Sequence, residues 1–184
     1  MSTYPFAVAP RSSAKESSWP WGGTVVGIAL IFLAIGGAQH AGSWNDGSRL
    51  ATVEALVDHH TFAIDRSIFV RPSATANPYP SENALLSQRG TLDKIFVNGR
   101  FYSDKSPVPA VIMAGAYWTL QKSIGLRAAD HPERFCLVMV WLTSGLAHLL
   151  AVWFIYRLCV ELKLPTPQRV VLTLSFAFGT TALT

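Results

Sequence analysis

From Trp21 to Gln39 the chain carries no charged side chain: "WGGTVVGIALIFLAIGGAQ". A helix crossing a bilayer needs roughly 17–25 apolar residues at about 1.5 Å rise each. The run meets that length, and Trp19 and Trp21 stand at its entry as interfacial anchors. A cleaved signal peptide is the rival reading. Its apolar region is shorter and its leading tail is short, whereas here Pro5, Pro10, Pro20 and a Ser-rich run precede the apolar stretch. We read residues 1–20 as a flexible cytoplasmic tail and 21–39 as a transmembrane helix. Arg11 and Lys15 hold the tail inside, so the chain emerges on the outer face near His40.

Composition supports the same class. Of 184 residues, 50% are hydrophobic and 14% charged, against about a quarter charged in an ordinary soluble domain. The net charge of +4 is spread between apolar segments, which suits membrane flanks and gives no nucleic-acid surface. The expected fold class is an all-α membrane protein, its transmembrane helices joined by a long outer-face loop that carries juxtamembrane amphipathic helices.

That loop covers residues 40–106. In "NDGSRLATVEALVDHH", Leu50, Val53, Leu56 and Val57 fall near helical spacing, with Ser43, Asn45 or Asp46 as N-cap. This predicts a short amphipathic helix on the membrane or on the protein's own spans. "RPSATANPYPSEN" reads as loop. Residues 107–124 form the next helix. Its apolar part, the fourteen residues Pro107 to Leu120, covers only about 21 Å against a hydrocarbon core of about 30 Å, which predicts a juxtamembrane or re-entrant helix. Residues 135–156 read as a clear span, 157–169 as a cytoplasmic loop with Arg157, Lys163 and Arg169, and 170–184 as a further span. The loop holding Lys122, Arg127 and Arg134 is equally basic, so charge alone leaves the topology open. The chain ends within an apolar segment, which suggests the N-terminal piece of something larger.

Few residues stand out for chemistry. Asp46, in "SWNDGSRL" just past the first span, is either a helix cap or a carboxylate held where an acceptor hydroxyl meets a lipid-borne donor. Lys94 and Lys105 each follow an aspartate, and neighbours one apart do not share a helix face, so no internal ion pair is expected within either pair. A lysine is a compact charge suited to phosphate, and Lys105 directly precedes a proline-led apolar helix at headgroup depth, either as phosphate ligand or as interfacial anchor. His59 and His60 are adjacent and point apart, and His40, His131 and His148 lack partners at ligand spacing. No metal site is expected and no cofactor is implied; a divalent metal has no support in the sequence. Cys136 and Cys159 read as packing residues, and Trp118, Trp141 and Trp153 as lipid-facing or packing residues rather than substrate platforms. Glycine-rich phosphate loops, nucleophile elbows and zinc motifs are absent.

The order of these features resembles the GT-C superfamily of polytopic glycosyltransferases, above all the bacterial aminoarabinose transferase and the protein O-mannosyltransferases. Asp46 matches the first residue of that family's Asp-Glu pair, and Arg49 its later basic position. Asp104 and Lys105, in "FYSDKSPVPAV", match the acidic-Lys pair that ends the first outer loop, with Ser106-Pro107 where Pro-Pro is usual. Gly47 stands where the family often has Glu, and Leu50 where Tyr is frequent. The resemblance covers roughly residues 20–184, the N-terminal portion of such an enzyme. It implies a multi-pass protein of a bacterial-type inner membrane that transfers a sugar from a polyprenyl-phosphate donor at the outer face. Asp46 would take or orient the acceptor proton, and Lys105, with Asp104, Lys94 or Arg49 beside it, would bind the lipid phosphate. Membrane lipid and a polyprenyl-phosphate sugar are the implied partners. The alternative is a non-catalytic accessory subunit, derived from such an enzyme and packed into a larger membrane complex.

Overall fold

A computed structural model describes residues 19–179, with side chains from residue 21. The expected tail, apart from its last two residues, and the end of the last expected span lie outside the described residues. The protein is mostly helical. Helix α1 spans Trp19–Gly36, α2 Trp44–Asp58, α3 Ala84–Arg89, α4 Pro107–Ile124, α5 Pro132–Val140, α6 Leu146–Glu161 and α7 Thr166–Gly179. Strands β1 (Lys94–Val97) and β2 (Arg100–Ser103) form one antiparallel hairpin inside the long loop, an element absent from the all-α expectation. Its cause is local. Asn98 and Gly99 both adopt positive φ, +49° and +81°, the two-residue turn whose twist suits a tight hairpin.

α5 and α6 are one rod. A single wide turn, Trp141–Gly145, joins them, with the Leu146 amide reaching back to the Trp141 and Thr143 carbonyls. The combined helix, Pro132–Glu161, has 30 residues and contains an 18-residue apolar window of mean hydropathy 2.0, only 33% of it buried. At about 45 Å it is longer than a hydrocarbon core, and among the described residues it is the one helix long and apolar enough to cross a membrane. α1 is a shorter apolar helix.

Two cores divide the molecule. In the first, α1 packs on α6 and α7 through Val25, Ala29, Val152 and Ala177. Small residues set the approach: a Cβ on Gly145, in the wide turn, would come within 2.6 Å of the Leu33 side chain. In the second, Leu50, Val53 and Val57 of α2 meet Ala110, Ala114 and Tyr117 of α4 and Phe135, Cys136 and Met139 of α5, with Ile64 and Phe69 from the loop. α2 is therefore packed on the protein's own elements, with α4 as its main neighbour. Burying apolar surface of this kind contributes on the order of 25 cal/mol per Å².

Both bounds of the expected 157–169 loop differ from expectation. α6 runs on to Glu161 and α7 starts at Thr166, so most of the supposed 157–169 loop is helical. Leu158, Cys159 and Val160 continue the apolar helix, and the chain breaks only at Lys163, with φ +55°. α4 has 18 residues, about 27 Å, closed by Gly125 in the left-handed conformation. Cys136 and Cys159 are free, buried thiols.

Candidate functional site

The hairpin register decides where the charges fall. Lys94 pairs with Ser103, so Asp93 and Asp104, the residues just outside that pair, meet at the open end of the ladder. Lys105 closes them: its Nζ lies 3.1 Å from Asp93 Oδ2 and 3.1 Å from Asp104 Oδ2. The sequence expectation of no ion pair within Asp104-Lys105 is thus overturned. It assumed helical side-chain directions, and these residues sit in the bend between β2 and α4. Asp93 first, then Asp104, hold the ammonium above its ordinary pKa.

α2 anchors this corner. Buried Ser48 donates to the Asp93 carbonyl at 2.6 Å and shares a 2.6 Å hydrogen bond with the Ser103 hydroxyl. The Lys105 amide in turn donates to Ser103 Oγ at 3.2 Å. One turn earlier, Thr91 donates to the Trp44 carbonyl at 2.7 Å. The base of the hairpin and the first turn of α2 are therefore one bonded unit.

Asp46 lies in that first turn. Ser43 is the N-cap: its Oγ accepts from the Asp46 amide at 3.2 Å and donates to Asp46 Oδ2 at 2.8 Å. Asp46 is exposed, and its carboxylate sits where the helix dipole favours negative charge. Between Ser43 on one wall and Asp93 on the other runs an open groove of about 300 Å³, lined also by Gly42, Trp44, Asn45, Asn83 and Leu86. The groove thus has a direct hydrogen-bond partner of Asp46 on one side and an ion-pair partner of Lys105 on the other.

The remaining expected residues are not all drawn in. Arg49 is exposed and has no ion-pair partner among the described residues. The Lys94 ammonium lies 5.2 Å from the Phe101 ring centroid, and burial, aided by Arg71, pushes its pKa down. It belongs to the hairpin and Asp65 rather than to the Lys105 cluster. Among the described residues, no three His, Cys, Asp or Glu side chains converge as metal ligands. His148 stacks on Phe176 at 6.2 Å, with its Nδ1 buried and unpaired.

Gly47 is a steric requirement of its surroundings. It is buried, and a Cβ there would overlap the Tyr79 hydroxyl and come 3.2 Å from Thr91 Cβ. That hydroxyl donates to the Phe69 carbonyl at 2.6 Å and ties two stretches of the loop together. No glutamate fits this position. Gly47→Ala should lower unfolding free energy by about 3 kcal/mol through overpacking and a broken hydrogen bond. Thermal melts followed by circular dichroism would show it, and an unchanged melt would mean that Tyr79 moves aside freely.

Two residues, one in the groove and one buried beneath the loop, carry no expectation from the sequence. Trp44 was passed over, although a tryptophan inside the polar run "SWND" is the signal that marks it. Glu54 is 2% exposed on α2; its Oε2 accepts from Ser67 Oγ at 2.6 Å and from the Ile68 amide at 3.1 Å. No family model matches the chain, and neither characterised proteins nor solved structures show a significant similarity to it.

Proposed function

We propose that the chain is the donor-phosphate end of a membrane glycosyltransferase. More narrowly, it is the N-terminal part of a GT-C-like enzyme that moves a sugar from a polyprenyl phosphate to an acceptor at the outer face of a bacterial-type inner membrane. The observation that carries this reading is a groove lined by both the partner of Asp46 and the partner of Lys105. Membrane residence is supported by the mostly unburied Pro132–Glu161 rod and by exposed Ile31, Phe32 and Ile35 on α1, Val108 and Ile112 on α4, and Val171 on α7. In this reading α1 and the rod both cross, the N-terminus is cytoplasmic, and α4 starts at headgroup depth.

The chemistry asked of these groups is modest. The acceptor hydroxyl attacks sugar C1, its proton passes to Asp46, and the C1–O bond to the phosphate breaks with its electrons on the phosphate. Phosphate is a good leaving group, so the demand is charge neutralisation. Lys105 has three N–H donors, two of them committed to aspartates. The lipid phosphate takes the third and displaces Asp104, the more exposed carboxylate at 35% against 24% for Asp93. Lys105→Met in the full-length protein should reduce transfer from a polyprenyl-phosphate sugar by about 100-fold with folding intact. Transfer within twofold of wild type would remove Lys105 from the site.

One observation favours a second reading. Two aspartates already compensate Lys105, and Gly47 closes the position of a second acid. Such a corner serves equally as a clamp for the hairpin in a non-catalytic accessory subunit of a larger membrane complex. That reading expects co-purification with partners at fixed stoichiometry; recovery as a stable, partner-free monomer counts against it.

A further inference from the structure

We infer that the groove at the head of α2 is a saccharide subsite in which the Trp44 indole stacks against one pyranose ring. This assignment rests on the glycosyltransferase reading and extends it to the residue that would hold the sugar.

A pyranose has one apolar C–H face and a rim of hydroxyls, so it is recognised by an exposed aromatic ring surrounded by hydrogen-bonding groups. The groove presents that combination. Trp44 is 37% exposed, although the residues that follow it, Asn45 and Asp46, are polar and exposed. Leu86, almost fully buried, adds an apolar side chain to the lining. The polar rim has capacity to spare. Asn45 is exposed and makes no side-chain hydrogen bond among the described residues. Asn83 spends Oδ1 on the Leu86 amide, leaving its NH2 group. Asp93 binds Lys105 through Oδ2, leaving Oδ1 as acceptor.

Charge and size narrow the ligand. A helix N-terminus alone would draw anions, but the Asp46 and Asp93 carboxylates stand at this one and repel them. A neutral polyhydroxyl ligand suffers no such repulsion. About 300 Å³ is at the small end of ligand sites, which suits one sugar ring rather than an oligosaccharide. The subsite lies between the partners of Asp46 and Lys105, where the transferred sugar would have to be.

The test uses the full-length protein in nanodiscs, with methyl α-D-mannopyranoside and methyl N-acetyl-β-D-glucosaminide as probes, read by saturation-transfer NMR. At least one probe should bind, with transfer strongest at ring C–H protons. Trp44→Ala should weaken binding about tenfold, and Trp44→Phe less. Folding of Trp44→Ala is protected because Thr91 is held by the Trp44 carbonyl, not its ring, and circular dichroism checks it. Absence of binding by both probes, or equal binding by Trp44→Ala, overturns the subsite. Hexoside binding that depends on Trp44 while Lys105→Met transfers normally would instead discard the phosphate reading and keep the subsite.

Discussion

Asp46→Asn should reduce sugar transfer by about 100-fold to 10,000-fold while leaving the fold intact. The lower bound is the usual effect of losing a positioned general base. The fold survives because the N-cap belongs to Ser43, whose Oγ still accepts from the residue 46 amide, and an asparagine oxygen can still accept the Ser43 hydroxyl. Loss of the base therefore separates from loss of the helix. The measurement is the initial rate of labelled sugar transfer from a polyprenyl-phosphate donor, with circular dichroism beside it. A rate within twofold of wild type, on a folded variant, would reduce Asp46 to part of a helix cap.

The second large effect is on stability. Burial pushes the Glu54 carboxyl from its ordinary 4.5 up to about 7, against the pull of its hydrogen bonds from Ser67 and Ile68, with Asp58 adding a smaller rise. Below pH 4.5 the folded and unfolded states both hold the proton. Between about 4.5 and 7 the folded state keeps it while the unfolded chain releases it, so stability falls as pH rises. Above 7 the folded state carries a buried charge, and the accumulated loss is about 3 kcal/mol. Glu54→Gln keeps an acceptor for Ser67 and Ile68 but cannot ionise. It should flatten the profile and be more stable than wild type at pH 8. Unfolding curves at pH 5 and pH 8 decide this, and an equal pH slope in both proteins would contradict the account. Glu54→Ala should lose stability at both pH values, because it strands two buried donors.

The helical frame was legible because its signals are local. The uncharged Trp21–Gln39 run marked α1, the Phe135–Tyr156 run marked the middle of the long rod, and Pro107 and Pro109 marked the first turn of α4. Ser43 stood among the named caps. The hairpin was also within reach: Asn98-Gly99 between Phe96-Val97 and Phe101-Tyr102 is a strong short-range turn signal, though it sits inside an otherwise polar run. Glu54 could have been noticed as a lone acid on the stripe of Leu50, Val53 and Val57.

What lay beyond the sequence is non-local. Lys105 meets Asp93 only because a ladder places residues 93 and 104 side by side, and Ser48 joins them across 45 positions of chain. Gly47 looked like a defect in a motif and is a steric requirement of Tyr79. Lys105 differs from Lys94 in the sequence by leading the proline-led helix, but the partners of either lysine are not legible there. The hairpin separates them, turning one onto Phe101 and the other between two aspartates.

The most direct measurement is binding of a short-chain polyprenyl phosphate to the full-length protein in nanodiscs, for wild type, Lys105→Met and Asp104→Asn, with the phosphate-free polyprenol as control. The account predicts opposite shifts: about tenfold weaker binding for Lys105→Met and tighter binding for Asp104→Asn, which removes the competing carboxylate, with polyprenol unaffected by either. Equal binding of the phosphate by all three proteins would contradict it, and would leave the Asp93–Lys105–Asp104 cluster as the clamp of a hairpin.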